Sequence, residues 1–189
     1  MPVIIAGRRK GAKLSVPEGL GVRPTLVRVR EALFSMLYSC AGQLRGKRVL
    51  DPFAGAGLLG LEAWSRGAEH VDMMEMNRAH LAVLSKNVQT LDAKNEVCAK
   101  LGQSPRDWSV FGRCRYDLVL CDPPYADGVM PSVLSALVAQ DRLNPDAYVS
   151  VELQAKDDIV TPMEFVRVKE RTYGYCKIVL LRYEGRCEA

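Results

Sequence analysis

The 189-residue chain lacks any long hydrophobic run. No window approaches the roughly 18 uncharged apolar residues of a membrane span, so no transmembrane helix is expected. The N-terminus, "MPVIIAGRRKGAKL", lacks the ordered charged, apolar and small-residue regions of a secretion signal, and a cytoplasmic location is the default expectation. Histidine is scarce, with only His70 and His80. The six cysteines (Cys40, Cys98, Cys114, Cys121, Cys176 and Cys187) form no C-x-x-C pair. That scatter argues against zinc or any other metal, and cysteines inside apolar runs serve as small core hydrophobes. Repeats, low-complexity tracts and evident linkers are also missing. A chain of this length then suits one domain with a substantial core, and a monomer is expected.

Charge is present but uneven. Up to Arg48 there are ten lysines and arginines against two acids, a net +8, whereas from Val49 onward sixteen basic residues face twenty acids, a net −4. The positive charge belongs to the N-terminal quarter, which suggests a polyanion contact there; a solvated basic hairpin is the plainer alternative.

Apolar spacing orders the rest. "PVIIAGRRKGAKLSVP" has two short apolar stretches about a basic glycine turn, so residues 1–22 are expected to form a hairpin arm with Arg8, Arg9, Lys10 and Lys13 near its tip. In "RPTLVRVREALFSMLYSC", Thr25 is placed to cap a helix on which Val29, Leu33, Met36 and Leu37 share a face. Strand-like and helical segments then alternate from "GKRVLD" to "AYVSVEL", before "FVRVKERTYGYCKIVLLRYE" reads as two strands joined near Gly174. Alternation of this kind implies an α/β fold: a mostly parallel sheet covered on both faces, with an antiparallel hairpin at its end, over residues 23–189.

Two stretches carry chemistry. "DPFAGAGLLGLEA" sets Gly55 and Gly57 between a strand and a helix, where glycine permits a sharp turn and close approach of a ligand. Glu75 follows Gly55 by 20 residues, at the end of the next strand. A carboxylate there can accept from both hydroxyls of a ribose, each bond contributing roughly 1.5–3 kcal/mol. Together these point to a nucleoside-containing cofactor. Gly55, Gly57 and Gly60 also satisfy G-x-G-x-x-G, which keeps a nicotinamide dinucleotide in play. Asp51, at the head of the turn, argues otherwise, although it could simply cap the following helix.

The second stretch is "DPPY", residues 122–125, which ends the apolar strand "YDLVLC". It resembles the [DN]-P-P-[YFW] motif of methyltransferases acting on exocyclic amino nitrogens, just as D-x-F-x-G-x-G resembles the first motif of class I S-adenosylmethionine-dependent methyltransferases. An aromatic amine is a poor nucleophile because its lone pair is delocalised. The Asp122 carboxylate and the Pro123 carbonyl can accept its N–H bonds and draw the nitrogen toward tetrahedral geometry. Pro124 stiffens the loop, and Tyr125 can stack on an extracted base, a contribution of about 1–3 kcal/mol. The plain alternative is an Asp-Pro turn with a surface tyrosine.

The motif order, with "GRRKGAKL", "RPTLVRVREALFSML" and the terminal "YGYCKIVLLRYE", resembles nearly end to end the bacterial guanine-N2 methyltransferase family that acts on 16S ribosomal RNA. That resemblance implies a Rossmann-like seven-stranded fold and S-adenosylmethionine as donor, held by Asp51, Phe53, Ala54, Gly55 and Gly57 together with Glu75, Met76 and Asp122. It implies small-subunit ribosomal RNA, or an assembling 30S particle, as acceptor, contacted by the basic arm and by Arg23 and Arg28; Thr25 and Glu31 belong to the same matching segment. One place departs: after the third strand, "CAKLGQSP" offers no acidic residue for the adenine, and a backbone amide at Leu101 or Gly102 is expected in its place. Glu152 also matches, with a structural or a functional role open. A DNA adenine-N6 methyltransferase, a glutamine methyltransferase, an inactive RNA-binding assembly factor and a dehydrogenase are the competing readings.

Overall fold

The structure is a computed structural model and describes residues 1–17, 24–105, 107–124 and 128–185, with the side chains of residues 24–26 also outside the description. Its elements in chain order are α1 (Pro24–Ala41), β1 (Arg48–Asp51), α2 (Leu58–Ser65), β2 (His70–Glu75), α3 (Arg78–Thr90), β3 (Val97–Leu101), a short 3₁₀ turn (Trp108–Phe111), β4 (Tyr116–Cys121), α4 (Met130–Ala139), β5 (Leu143–Gln154), β6 (Phe165–Tyr173) and β7 (Cys176–Tyr183). The seven strands form one sheet in the order β3-β2-β1-β4-β5-β7-β6. The first five are mutually parallel, and β7 runs antiparallel between β5 and β6. This is the class I methyltransferase arrangement, with the expected antiparallel hairpin at its end and Gly174 in the turn at φ 58°.

Alternate residues of each strand enter opposite cores. Val49, Leu118, Leu120, Ile178 and Leu180 pack with Leu33, Leu61, Trp64 and Leu84 from α1–α3. Their neighbours Leu50, Val119, Val149, Val179 and Leu181 pack with Val133, Leu134 and Leu137 of α4 and with Trp108. Covering both faces explains why the strands read as unbroken apolar runs. The expected apolar face of α1 is buried throughout, at Val29, Leu33, Met36 and Leu37. The helix starts at Pro24, a residue suited to a first turn, so Thr25 lies inside that turn and not ahead of it. Strand β5 starts four residues before the expected "AYVSVEL", because the chain pairs through an irregularity at Pro145 and left-handed Asp146 (φ 59°).

The arm closes on a single antiparallel bridge, Val3 to Lys13, and not on two strands. Ile4 and Leu14 are fully buried in the same core as α1 and α2. Its backbone is clamped by Glu62 of α2, whose carboxylate accepts from the amides of Ile5 (2.8 Å) and Ala6 (3.0 Å) and from Arg66 Nε (2.7 Å). The boundary expected at residue 22 falls outside the described residues. No described helix is long and apolar enough to cross a membrane.

Candidate active site

Strands β1, β2, β4 and β5 end along one edge of the sheet, and the chain beyond their ends encloses a cavity of about 990 Å³. Ligands in open parallel sheets bind at this edge, because the strand ends and the following loops diverge there. The cavity wall includes Asp51, Phe53, Ala54 and Gly55 after β1, Glu75 and Met76 after β2, and Asp122, Pro123 and Pro124 after β4. Nine of the residues expected in the site thus share one space. Tyr125 and Arg23 lie outside the described residues.

The glycine turn and the distant acid are physically joined. Glu75 accepts from the amide of Gly55 (2.8 Å) and from that of Asn77 (2.7 Å), so its carboxylate holds both the turn and the start of α3. Each carboxylate oxygen keeps a second lone-pair direction for a hydroxyl. Gly55 has φ 54°, and a side chain there would project into empty cavity. Gly57 does something else: it caps α2 in the left-handed region (φ 85°), where a Cβ would stand 2.4 Å from Leu84 Cδ1. Its role is close packing beneath the turn, and it does not face the cavity. Asp51 does both things weighed for it, lining the cavity and accepting from the Gly60 amide (3.0 Å) in the first turn of α2. Burial raises its carboxyl to about 7 against those amide bonds, with the charges of Asp122 and Glu75 adding to the rise.

The end of β4 carries Asp122, whose side chain opens onto the cavity while protein packed around it pushes its carboxyl above the usual aspartate range. Pro123 is buried and Pro124 exposed, which suits a rigid turn between a core strand and a cavity. Beside them stands Glu152 of β5, 5% exposed. Burial first, and the Asp122 charge second, raise its carboxyl too. Three carboxyls from adjacent strands β1, β4 and β5 therefore converge on one cavity, and among the described residues none of them forms an ion pair with a lysine or arginine.

Several wall residues carried no clear signal in the sequence. Asn77 accepts from the amides of Ala79 and His80 to cap α3, and His80 Nδ1 sits 3.9 Å from Glu75. Arg30 is buried at the cavity wall, donates to the Val3 carbonyl, and keeps an unpartnered Nε 3.9 Å from Glu62. Of the two backbone amides expected to serve after β3, that of Gly102 already donates to the Glu75 carbonyl (3.1 Å), which leaves Leu101 as the other position. Ser104 also lines the cavity there, with a buried hydroxyl that has no partner among the described residues. A serine in a loop has no sequence signature, so only its burial could reveal it.

The basic arm tip lies elsewhere. Helix α2 runs from the glycine turn to the opposite edge of the sheet, where the Glu69 amide beyond its end meets the Lys47 carbonyl just before β1. The tip docks at that far end. The Arg8 amide donates to the Ser65 carbonyl (2.8 Å), the Arg9 amide donates to Ser65 Oγ (3.0 Å), and the Arg8 guanidinium stacks 4.2 Å above Trp64 while facing Glu96 at 3.6 Å. Arg9, Lys10, Lys13 and Arg28 are exposed, but none of them lines the cavity.

The family described as conserved hypothetical protein 95 matches residues 3–182. The chain belongs to this family. Over 173 residues it is 36% identical to the ribosomal RNA small subunit methyltransferase D of Haemophilus influenzae, covering 90% of this chain and 88% of that protein. Over 187 residues it is 33% identical to the protein of the same name from Escherichia coli K12, covering 98% and 92%. A solved putative methyltransferase of Escherichia coli superposes with TM-score 0.83 at 32% identity, covering 98% of this chain and 99% of that one. The family match thus spans the arm, the glycine turn and the Asp-Pro-Pro strand end together.

Proposed function

We propose that the protein transfers a methyl group from S-adenosylmethionine to the exocyclic 2-amino group of a guanine in small-subunit ribosomal RNA. The observation that carries this reading is the meeting, in one cavity, of the Glu75-braced glycine turn with the Asp122-Pro123-Pro124 strand end. The names of the relatives at 33–36% identity support ribosomal RNA as the acceptor class.

The residues present suit the cofactor. Glu75 offers acceptors for ribose hydroxyls, Gly55 leaves the space that a Cβ would fill, and Ser104 presents an orphaned buried hydroxyl. The acids Asp51 and Asp122 suit a ligand with cationic centres. Bound there, S-adenosylmethionine would supply a methyl group activated by its sulfonium. The chain then has three tasks. Asp122 and the Pro123 carbonyl accept the two N–H bonds of the amine and turn its lone pair toward the donor. Pro123 and Pro124 hold those acceptors still, so little reorganisation is needed during attack. Asp122, whose carboxyl is raised above its ordinary range, is a matched acceptor for the proton that acidifies as the nitrogen becomes cationic. The exposed Arg9, Lys10 and Lys13 are proposed to meet the phosphate backbone away from the chemistry, and Arg23 and Arg28 to contact the same RNA.

Labelled-donor transfer to ribosomal RNA and to small-subunit particles, followed by nucleoside analysis, tests the reading. N2-methylguanosine is the expected product. N6-methyladenosine, or no labelled nucleoside from either substrate, would overturn it.

A further inference from the structure

Glu152 is the one acid of the cavity for which neither the fold nor the proposed reaction has a use. It is 5% exposed on the central strand β5, where an apolar residue would be easier to bury. The one hydrogen bond to it among the described residues comes from Cys176 Sγ, at 3.4 Å. A carboxyl has four lone-pair positions, and a thiol is a weak donor, so most of its bonding capacity is unspent and faces the cavity.

We infer that Glu152 reads the ring edge of the acceptor guanine, hydrogen bonding its N1–H and O6 while Asp122 and the Pro123 carbonyl hold the 2-amino group. The inference rests on the guanine reading proposed above. Its first support is register. Cys121 of β4 pairs with Val151 of β5, so Asp122 and Glu152, each one residue further on, are neighbours where the parallel β4–β5 pairing ends and β5 continues against β7 alone. Such strands lie about 4.8 Å apart. Guanine's edge sets the amino nitrogen, N1–H and O6 in a row of comparable length. A base whose amino group is at Asp122 presents its next atoms to the adjacent strand end.

Strand order is the second support. The glycine turn follows β1 and Glu75 ends β2, on one side of β4, while Glu152 lies in β5 on the other. The cofactor cradle and Glu152 thus flank Asp122, and the acceptor belongs on the β5 side.

Protonation completes the match. Glu152 and Asp122 adjoin each other with Asp51 beyond, and among the described residues none of them pairs with a lysine or arginine, so burial and mutual repulsion favour a proton among them. Glu152 is buried whereas Asp122 opens onto the cavity, which favours the proton on Glu152. As a neutral acid it accepts from N1–H through its carbonyl oxygen and donates its hydroxyl to O6. A base with an amino group but no N1–H and no O6 forfeits one of these two bonds.

The test uses ribosomal RNA in which the guanine methylated by the wild-type protein is replaced by 2-aminopurine. That base keeps the same amino group but lacks N1–H and O6. Wild type is expected to prefer guanine on the order of tenfold, the scale of one hydrogen bond. Glu152→Gln presents the same acceptor and donor pair and keeps the preference, whereas Glu152→Met brings the two RNAs level. A merely structural role would change both rates and leave their ratio alone. A Met variant that keeps the wild-type ratio, or a Gln variant that loses it, overturns the inference. Thermal midpoints and donor binding are measured first, and Glu152→Leu replaces Met if that variant does not fold. Wild-type protein that makes no N2-methylguanosine would instead refute the assigned reaction, and this inference with it.

Discussion

Two buried glutamates in this molecule occupy opposite electrostatic situations. Glu62, fully buried on α2, is saturated: two arm amides and Arg66 donate to it, and the buried Arg30 stands 3.9 Å away. Glu152, nearly as buried on β5, receives a single thiol and faces two other acids. The first situation is how a fold stabilises a charge it has taken out of water, by closing every bond internally. The second leaves bonds open toward a cavity, and open bonds in a buried acid are the mark of a binding site. Burial alone does not separate structure from function; the state of the partners does.

The sharpest way to test this contrast is to remove one acid from each region. Asp122→Ala is expected to lower single-turnover methyl transfer by roughly 10³-fold, the upper range for loss of one preorganised transition-state contact. Donor affinity measured by calorimetry should stay near wild type, and unchanged turnover would sink the assigned role. Glu62→Ala should do the reverse. It strands the buried Arg30 charge and frees the arm, and should cost about 3 kcal/mol of unfolding free energy in urea titrations. If stability is unaltered, the arm clamp is not structural.

Glu75→Ala crosses the two categories, because this acid both braces the glycine turn and lines the cavity. Donor affinity should fall by roughly 10- to 100-fold, the loss of one or two hydrogen bonds to a charged group. An unaltered dissociation constant would contradict a ribose role.

Next in size is a pH effect. An unfolded aspartate titrates near about 4, while Asp51 in the fold is raised to about 7. Between these values the native state holds a proton that the unfolded chain releases, so stability at this residue is greatest at low pH and declines as pH rises through that window. Urea midpoints against pH should show the decline in wild type and a flatter curve in Asp51→Asn; identical slopes would contradict the raised carboxyl.

The smallest effect is expected at the arm tip. Reversing charge at Arg9 and Lys10 should weaken RNA binding uniformly and reduce its salt slope by up to about 1 per lost phosphate contact. Neither change would mean that the tip, on the far edge from the chemistry, does not touch the RNA.

How much of this was legible depends on the reach of each interaction. The glycine turn, the acid 20 residues later and the Asp-Pro-Pro strand end are short-range patterns, and they converge on the cavity as their spacing implies. Gly57 matched the motif but turned out to serve packing against Leu84, since a pattern cannot say which glycine faces the ligand. Ser104 was silent because an orphaned hydroxyl is recognisable only after its neighbours are placed. Arg8 reads as an RNA contact from its charge; the fold leaves it exposed but also stacks it on Trp64 and sets it against Glu96, partners 56 and 88 residues away in the chain.

By itself the amino-acid order determined the alternation of strands and helices, the class of the fold, and the motifs that meet at the cavity, because each follows from local periodicity or from a pattern a few residues long. Tertiary structure alone decided which buried acids are satisfied, which edge of the sheet receives the basic arm, and that Glu152 comes to lie beside Asp122. Those outcomes depend on register and packing between residues tens of positions apart, where desolvation and hydrogen bonding act on neighbours that the linear order does not name.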